Sequence, residues 1–436
     1  MMDNNNQWKD LLKESVKYPD GLSNVEERLE NRIKKGKRKG KGIISSITAA
    51  AAAVVFILLV NYSPAFADTI AEIPVLGQIA DFVRFDKSLS KAIQNDYVQE
   101  VGLVALDGDR RLLLPYVIAD EKNLVLFFQL PEELEQGSDE WVSVRTTSMK
   151  NADTGEKVDG YAYSTGNLSP EGKEENFGFI KQDYQFVEKT VPKAIDLEVE
   201  LKSGDSVVGT FGFNLELEEF SEPKVHAITE NHTISGQSLL VEDISVYPAG
   251  TEVNVRFSEE NSAIIKGLEL LLIQSNGEVL QDPYDGISAT YDDTWMRVFI
   301  ESNYFDAPEK QELHIRGVRL LDKDELFITV DMDSKTMTPA IKGTELTEVI
   351  QEGDHASLVF TSHLEDEILF SMFATEYSDE EGNHYELDGV GTGSDENTMK
   401  TYITVKYPDS GKIILERQSA PMTYLEKPVI IPLPAQ

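Results

Sequence analysis

Ile43 to Val60, IISSITAAAAAVVFILLV, runs for 18 residues without a charge, a proline or a glycine. A helix rises about 1.5 Å per residue, so this stretch reaches roughly 27 Å, close to the hydrocarbon thickness of a bilayer. Lys34, Lys35, Lys37, Arg38, Lys39 and Lys41 stand directly before it, and no basic residue follows until Arg84. Basic flanks stay on the cytoplasmic side of a membrane. The sequence therefore predicts a single-pass protein of the cell membrane. One transmembrane helix spans 43–60, the N-terminus lies inside, and the large C-terminal region is extracytoplasmic.

The charge distribution follows the same boundary. Residues 1–42 hold 11 Lys/Arg and 7 Asp/Glu, a net +4. The rest holds 29 basic and 70 acidic residues, a net −41. So acidic a region repels phosphate backbones and anionic surfaces, which argues against nucleic acid as a ligand. The chain has no cysteine, so disulfides, thiol catalysis and cysteine-based zinc sites are excluded.

Ala65-Phe66-Ala67 follows the apolar run and has the small-x-small form of a signal-peptidase site. Against cleavage stand a 42-residue leader, an apolar run longer than a common signal core, and helical patterning inside that leader. An uncleaved anchor is the expectation on these grounds.

Within residues 1–42, Trp8, Leu11, Leu12 and Val16 recur at helical spacing between charged residues. Pro19-Asp20-Gly21 interrupts them, and Ser23 with Glu26 forms a capping box. Leu22, Val25, Leu29 and Ile33 then make a second stripe. Two short amphipathic helices bury little between them and are marginal alone. They suit either a tail lying on anionic lipid or a helix pair completed by a partner protein, through Trp8, Leu11, Leu12, Leu22, Val25, Leu29 and Ile33.

Residues 61–100 are punctuated by Pro64, Pro74 and Gly77. Ile79, Phe82, Val83, Leu89, Ala92 and Ile93 make a helical apolar stripe, suited to packing on the next domain or lying on a bilayer. This stretch carries a resemblance, through Pro64 to Asp68, Ile73-Pro74-Val75-Leu76-Gly77 and Phe82 to Asp86. Over about 40–135 the chain resembles single-pass membrane proteins of Gram-positive bacteria that carry a domain of unknown function. Many of these look like anti-sigma factors or are encoded beside extracytoplasmic-function sigma factors. A second β-rich domain common in that family is similar to about 222–340. The resemblance implies a cytoplasmic sigma factor as partner of the tail. Many anti-sigma factors use a His-x-x-x-Cys-x-x-Cys zinc motif, but residues 1–42 contain neither His nor Cys. A zinc-type module is thereby excluded.

From Val101 the pattern changes to short apolar and alternating runs. Leu124 to Phe128, Val207-Val208 with Phe211 and Phe213, Leu268 to Ile273 and Ile413 to Leu415 read as strands. Asp153-Thr154-Gly155, Asn276-Gly277 and Glu381-Gly382-Asn383 read as turns between them. An internal repeat appears at an offset of 103: Asp285 matches Asp388, Met296 matches Met399, Phe299 matches Tyr402 and Ile300 matches Ile403. A strand, turn, strand, Asp-Gly order recurs more weakly before Asp159. The predicted fold is mostly β: an N-terminal helical tail, one transmembrane helix, then tandem Ig-like β-sandwich domains. The expected divisions are 1–42, 43–60, 61–100, 101–220, 222–338 and 342–436.

No motif points to chemistry. The six histidines are scattered and none forms His-Glu-x-x-His. Asp107 with Asp109, Asp322 with Asp324 and Asp331 with Asp333 alternate as strand-face pairs, but no twelve-residue calcium loop surrounds them. No nucleophile elbow, phosphate loop or dinucleotide fingerprint occurs. The expectation is no enzyme, no catalytic, cofactor or metal residues, and no bound cofactor. The leading function is a bitopic membrane regulator, anti-sigma-factor-like, with an extracytoplasmic sensing region. The alternative is an anchored cell-surface module that binds cell-wall polymer or serves structurally, without signalling.

Overall fold

The computed structural model describes residues 79–434, except 81, 84–85, 132–141, 159–160, 166–177, 188, 205, 283–288, 292–293, 307, 364–371, 396–397 and 409. Ile79, Ala80 and Phe82 are helical, and the α-helix Lys87–Gln94 (α1) follows them. Asp86 caps it, accepting the Leu89 N–H at 3.0 Å. All else of note is antiparallel β-structure in three two-sheet sandwiches.

The first sandwich sets a five-stranded sheet against a three-stranded one. The larger contains Gln99–Asp107 (β1), Arg110–Ala119 (β2), Asn123–Gln129 (β3), Tyr161–Thr165 (β5) and Phe179–Gln185 (β6), in the spatial order β1-β2-β3-β6-β5. The smaller is Val142–Asn151 (β4), Ala194–Ser203 (β7) and Ser206–Glu216 (β8). The apolar run in β3 does not alternate because both faces are covered. Leu124, Leu126 and Phe128 point into the sandwich core. Val125 and Phe127 point the other way, into a cluster with Ile79, Val83, Leu89, Ala92 and Ile93. The helical stripe is thus spent on this sheet, with Tyr116, Ile118 and Phe179 completing the contact.

The second sandwich repeats the strand plan. One sheet is Lys224–Ile234 (β9), Gln237–Val246 (β10), Thr251–Phe257 (β11), Ala289–Tyr291 (β14) and Trp295–Ile300 (β15), ordered β9-β10-β11-β15-β14. The other is Ala263–Gln274 (β12), Val279–Leu280 (β13), Gln311–Asp322 (β16) and Met422–Leu433 (β26), ordered β13-β12-β16-β26. The third sandwich sets Thr344–Glu352 (β19), His355–His363 (β20), Thr398–Lys406 (β24) and Gly389–Asp395 (β23) against a second sheet. That sheet holds Phe327–Asp331 (β17), Thr336–Thr338 (β18), Phe373–Asp379 (β21), His384–Glu386 (β22) and Lys412–Arg417 (β25). Two of the pairs matched at an offset of 103, Met296 with Met399 and Ile300 with Ile403, occupy equivalent buried places. Met296 and Met399 lie on β15 and β24, each the partner of a short edge hairpin strand, and both are buried.

The last two sandwiches exchange strands. In the first, β7 turns directly into its neighbour β8. In the second, β16 is followed by a 3-10 turn at Lys323–Glu325, and β17 crosses to pair with β25 in the third sandwich. The C-terminal strand β26 returns to pair with β16. Arg319 faces Met422 and Phe327 faces Glu416, so one antiparallel ribbon runs almost in register through both sandwiches. Between these pairs, the Arg417 N–H donates to Leu326 O at 2.8 Å and Arg319 Nη1 donates to Ala420 O at 2.9 Å. The segment from 342 onward is therefore shared: β26 supplies Ile431 and Leu433 to the second core.

The single-pass architecture and the cell-membrane location require correction. Among the described residues no helix is long and apolar enough to cross a membrane. The eight residues of α1 span only about 12 Å, and its apolar face is occupied by the first sandwich. The stretch 43–60 and the tail residues Trp8, Leu11, Leu12, Leu22, Val25, Leu29 and Ile33 lie outside the described residues.

Candidate functional site

The feature that joins distant parts of the chain is the junction of α1, the first sandwich and the second. Lys87 and Lys91 lie one turn apart on α1, so both project from the same face. Lys87 Nζ stands 3.4 Å from Glu301 Oε2, and the Lys87 N–H donates to Glu301 Oε1 at 3.3 Å. Lys91 Nζ donates to Glu278 Oε1 at 2.9 Å and also to Asp306. Between them Ser88 Oγ accepts the Ser302 N–H at 2.7 Å. Behind α1, Asp86 pairs with Lys181 of β6 at 3.3 Å, and Lys181 pairs with Asp183 at 3.0 Å. Burial pulls the Lys91 ammonium downward, but Asp306 and Glu278 hold it above its ordinary value.

The turn between β2 and β3 supplies the other half. Asp120 is wholly buried. It accepts the N–H groups of Lys122 and Asn123, each at 2.8 Å, and the Asn123 side-chain amide at 2.9 Å. Its second oxygen reaches across the junction to the Ala249 N–H at 2.9 Å. Burial pushes its carboxyl up to about 6 even against these bonds. Gly250 packs closely beside it: a Cβ there would meet the Asn123 amide at 3.3 Å and push it by a few tenths of an ångström. Arg297 Nη1 donates to Val187 O at 2.6 Å, a second tie between the sandwiches.

Glu252 and Glu301 are also buried, and burial raises both carboxyls. Asn254, Lys122 and Arg297 oppose the rise at Glu252, and Lys87 opposes it at Glu301. A cavity of about 40 Å³ lies among Asp86, Ser88, Asn123, Asp183, Gly250 and Glu301. That is room for a few waters. The junction has carboxylates, lysines and backbone groups paired across a seam, without a nucleophile–base pair. Its arrangement fits holding two bodies together.

Two kinds of contact differ in size here. The apolar stripe of α1 and the residues just before it buries Ile79, Val83, Leu89, Ala92 and Ile93 on the first sandwich. At about 1.5–3 kcal/mol for a large side chain, this is on the order of 10 kcal/mol as an upper bound. The second sandwich adds only Ala249 and Phe305 to that cluster. Its remaining ties to α1 are the ion pairs of Lys87 and Lys91, worth about 0.2–1 kcal/mol each where exposed, and hydrogen bonds such as Ser302 N–H to Ser88 Oγ, worth about 0.5–1.5 kcal/mol each. The helix therefore belongs to the first sandwich and is only pinned to the second.

The residues singled out in the sequence are not brought together. His226 is buried on β9, its imidazole held down by burial and by Lys224. His314 pairs with Glu312 at 3.0 Å, and His355 bridges Asp354 and Asp388 at 2.8 and 3.3 Å. His384 Nδ1 bonds Ser378 Oγ at 3.1 Å. The alternating aspartates hold turns and neighbouring strands: Asp331 accepts the Ser334 N–H, Asp333 accepts the Tyr407 hydroxyl, and Asp107 accepts the Thr210 N–H. Among the described residues no group of three or more His, Asp or Glu could hold a metal ion. The junction residues Asp120, Asn123, Glu252 and Glu301 carried no signal in the sequence. Asp120 sits in Ala-Asp-Glu-Lys-Asn, which reads as an ordinary polar turn.

Comparison with known proteins adds little chemistry. No curated protein matches the chain. A solved structure described as the crystal structure of the conserved domain protein from Bacillus anthracis aligns with 56% of this chain and 84% of its own, at 14% identity and a TM-score of 0.36. Residues 37–131, which take in α1 and β1 to β3, match the family model described as a domain of unknown function (DUF4179).

Proposed function

We propose that this chain is a non-enzymatic regulator of the anti-sigma-factor type, in which residues 1–42 hold a cytoplasmic sigma factor and the sandwich array receives the stimulus. The observation that supports this reading is the place of α1. It follows the amphipathic segment in the chain, and it touches both the first and the second sandwich. A change in how those sandwiches meet would reach the preceding residues through one short helix. The tail's two stripes supply the apolar face that such a partner would cover. The test is co-purification of sigma factor with the full chain, repeated with Val25→Asp and Leu29→Asp. Binding by the intact chain and its loss in the double variant is the expected result. No binding by the intact chain ends the proposal.

A second reading is a binding or structural module without signalling. The ribbon shared by the second and third sandwiches favours it, because it makes those two a stiff unit. Retention on cell-wall polymer, equal with and without residues 1–42, would select it over the first.

A further inference from the structure

We propose that the seam between the first and second sandwiches is a polar clasp on a hinge, which opens by rigid-body rotation while both sandwiches stay folded. The moving bodies are α1 with the first sandwich on one side and the ribbon-linked second and third sandwiches on the other. The hinge stands whether or not residues 1–42 bind a sigma factor.

The two boundaries between sandwiches differ in what crosses them. One chain connection, residues 217–223, joins β8 to β9. It contains Phe220, which lies under the Lys193 ammonium of the first sandwich, and Glu222, whose carbonyl accepts the Tyr304 hydroxyl of the second. Its two ends are thus anchored to different bodies, with Ser221 between them. The seam itself is closed by Lys87 with Glu301, Lys91 with Glu278 and Asp306, Ser88 with Ser302, Asp120 with Ala249, and Arg297 with Val187. Polar ties of this kind are replaced by water when a seam opens, and apolar burial is not. The apolar contact of α1 lies wholly on one body apart from Ala249 and Phe305. The cavity along the seam, lined by Asp86, Asp183 and Glu301, already gives water a foothold there. The other boundary has two chain crossings, and the ladders β16–β26 and β17–β25 on its two sides are joined across the 3-10 turn by the Arg417 N–H to Leu326 O and Arg319 to Ala420 O bonds. Opening is therefore confined to one seam, and charge screening weakens it.

The native chain has no cysteine, so spin labels can be placed cleanly on the full-length protein. Asp153, Glu260 and Gln351 are exposed, one on each sandwich. Distances are measured by electron-electron resonance for Asp153→Cys with Glu260→Cys, and for Glu260→Cys with Gln351→Cys. Raising salt from about 0.05 M to about 1 M shortens the screening length to about 3 Å. The first pair should then gain a second, longer-distance population, and the second pair should not change. Lys87→Glu with Lys91→Glu should produce the same longer population at low salt. Adding Glu278→Lys and Asp306→Lys to Lys91→Glu should restore the short one. A single unchanged distance for the first pair, in both salts and in Lys87→Glu/Lys91→Glu, overturns the hinge. An equal shift in both pairs overturns it too, because the loosening would then be general. The salt comparison on the otherwise native chain needs no charge variant, so misfolding of a variant cannot decide the result.

Discussion

The two junctions of this molecule are built on opposite principles. Between the second and third sandwiches the chain crosses twice, and β16–β17 and β25–β26 form one ribbon through both cores. Between the first and second it crosses once, and the seam is closed by ion pairs and a few hydrogen bonds. Strand exchange commits the core of one body to a strand that has already traversed the next. A polar clasp commits neither. The difference teaches that three sandwiches of one strand plan need not form a uniform rod, because connectivity sets the stiffness of each joint.

The largest effect is expected where the commitment is deepest. Deleting residues 422–436 removes β26 together with Ile431 and Leu433, both buried in the second core. Two such side chains are worth about 1.5–3 kcal/mol each, before the lost ladder is added. The second sandwich should lose about 5 kcal/mol or more. Hydrogen exchange should then report lost protection in β12 and β16, with β1 to β3 untouched. Protection surviving in β12 and β16 would show that the ribbon does not carry that core.

Phe127→Ala should act on the other body alone. Phe127 is fully buried between β3 and the helical segment. Truncating such a ring costs about 3–5 kcal/mol. Denaturant melts should show the loss in the first sandwich and in α1, with the ribbon's transition unmoved. A matching loss in the third sandwich would mean that the bodies are not independent.

The smallest of the three effects is a pH dependence. The Asp120 carboxyl rises on folding from 3.8 to about 6. A group raised in the folded state contributes stability that is full below its unfolded value and is lost as pH climbs through the folded one. The wild-type junction should therefore weaken between about pH 4 and about pH 6, by at most about 3 kcal/mol at 1.36 kcal/mol per unit. Asp120→Asn should be less stable at acid pH and should lack that slope. Parallel stability curves for the two proteins from pH 4 to 7 would remove Asp120 from the account of the seam.

Much of the local architecture was legible. Gly155, Gly277 and Gly382 stand in turns with positive φ, as the Asp-Thr-Gly, Asn-Gly and Glu-Gly-Asn signals require. The apolar run Leu124 to Phe128 was legible as a strand, but not that both its faces are covered, one of them by the stripe from Ile79 to Ile93. The destination of the final strand was not legible. Asp322 to Phe327 has the look of a link between neighbouring strands, as Ser203 to Ser206 is in the first sandwich. Pairing β16 with β17 or with β26 satisfies the same backbone groups, so local pattern cannot choose. Pro432 fits the outcome, since β26 is an edge strand whose outer side needs no donor.

The sequence by itself determined which runs become strands and where they turn, because those depend on side-chain period and backbone conformation within a few residues. Its apolar run at 43–60 remains a property of the sequence, and no described helix can serve as the membrane span it predicted. Only the tertiary structure decided that Asp120 would meet Ala249, that Lys87 and Lys91 would pin a second body, and that β26 would close a sandwich begun some 200 residues earlier. Those pairings lie far apart in the chain. They follow from which core each strand completes, a choice made by buried area across the whole fold and by no local rule.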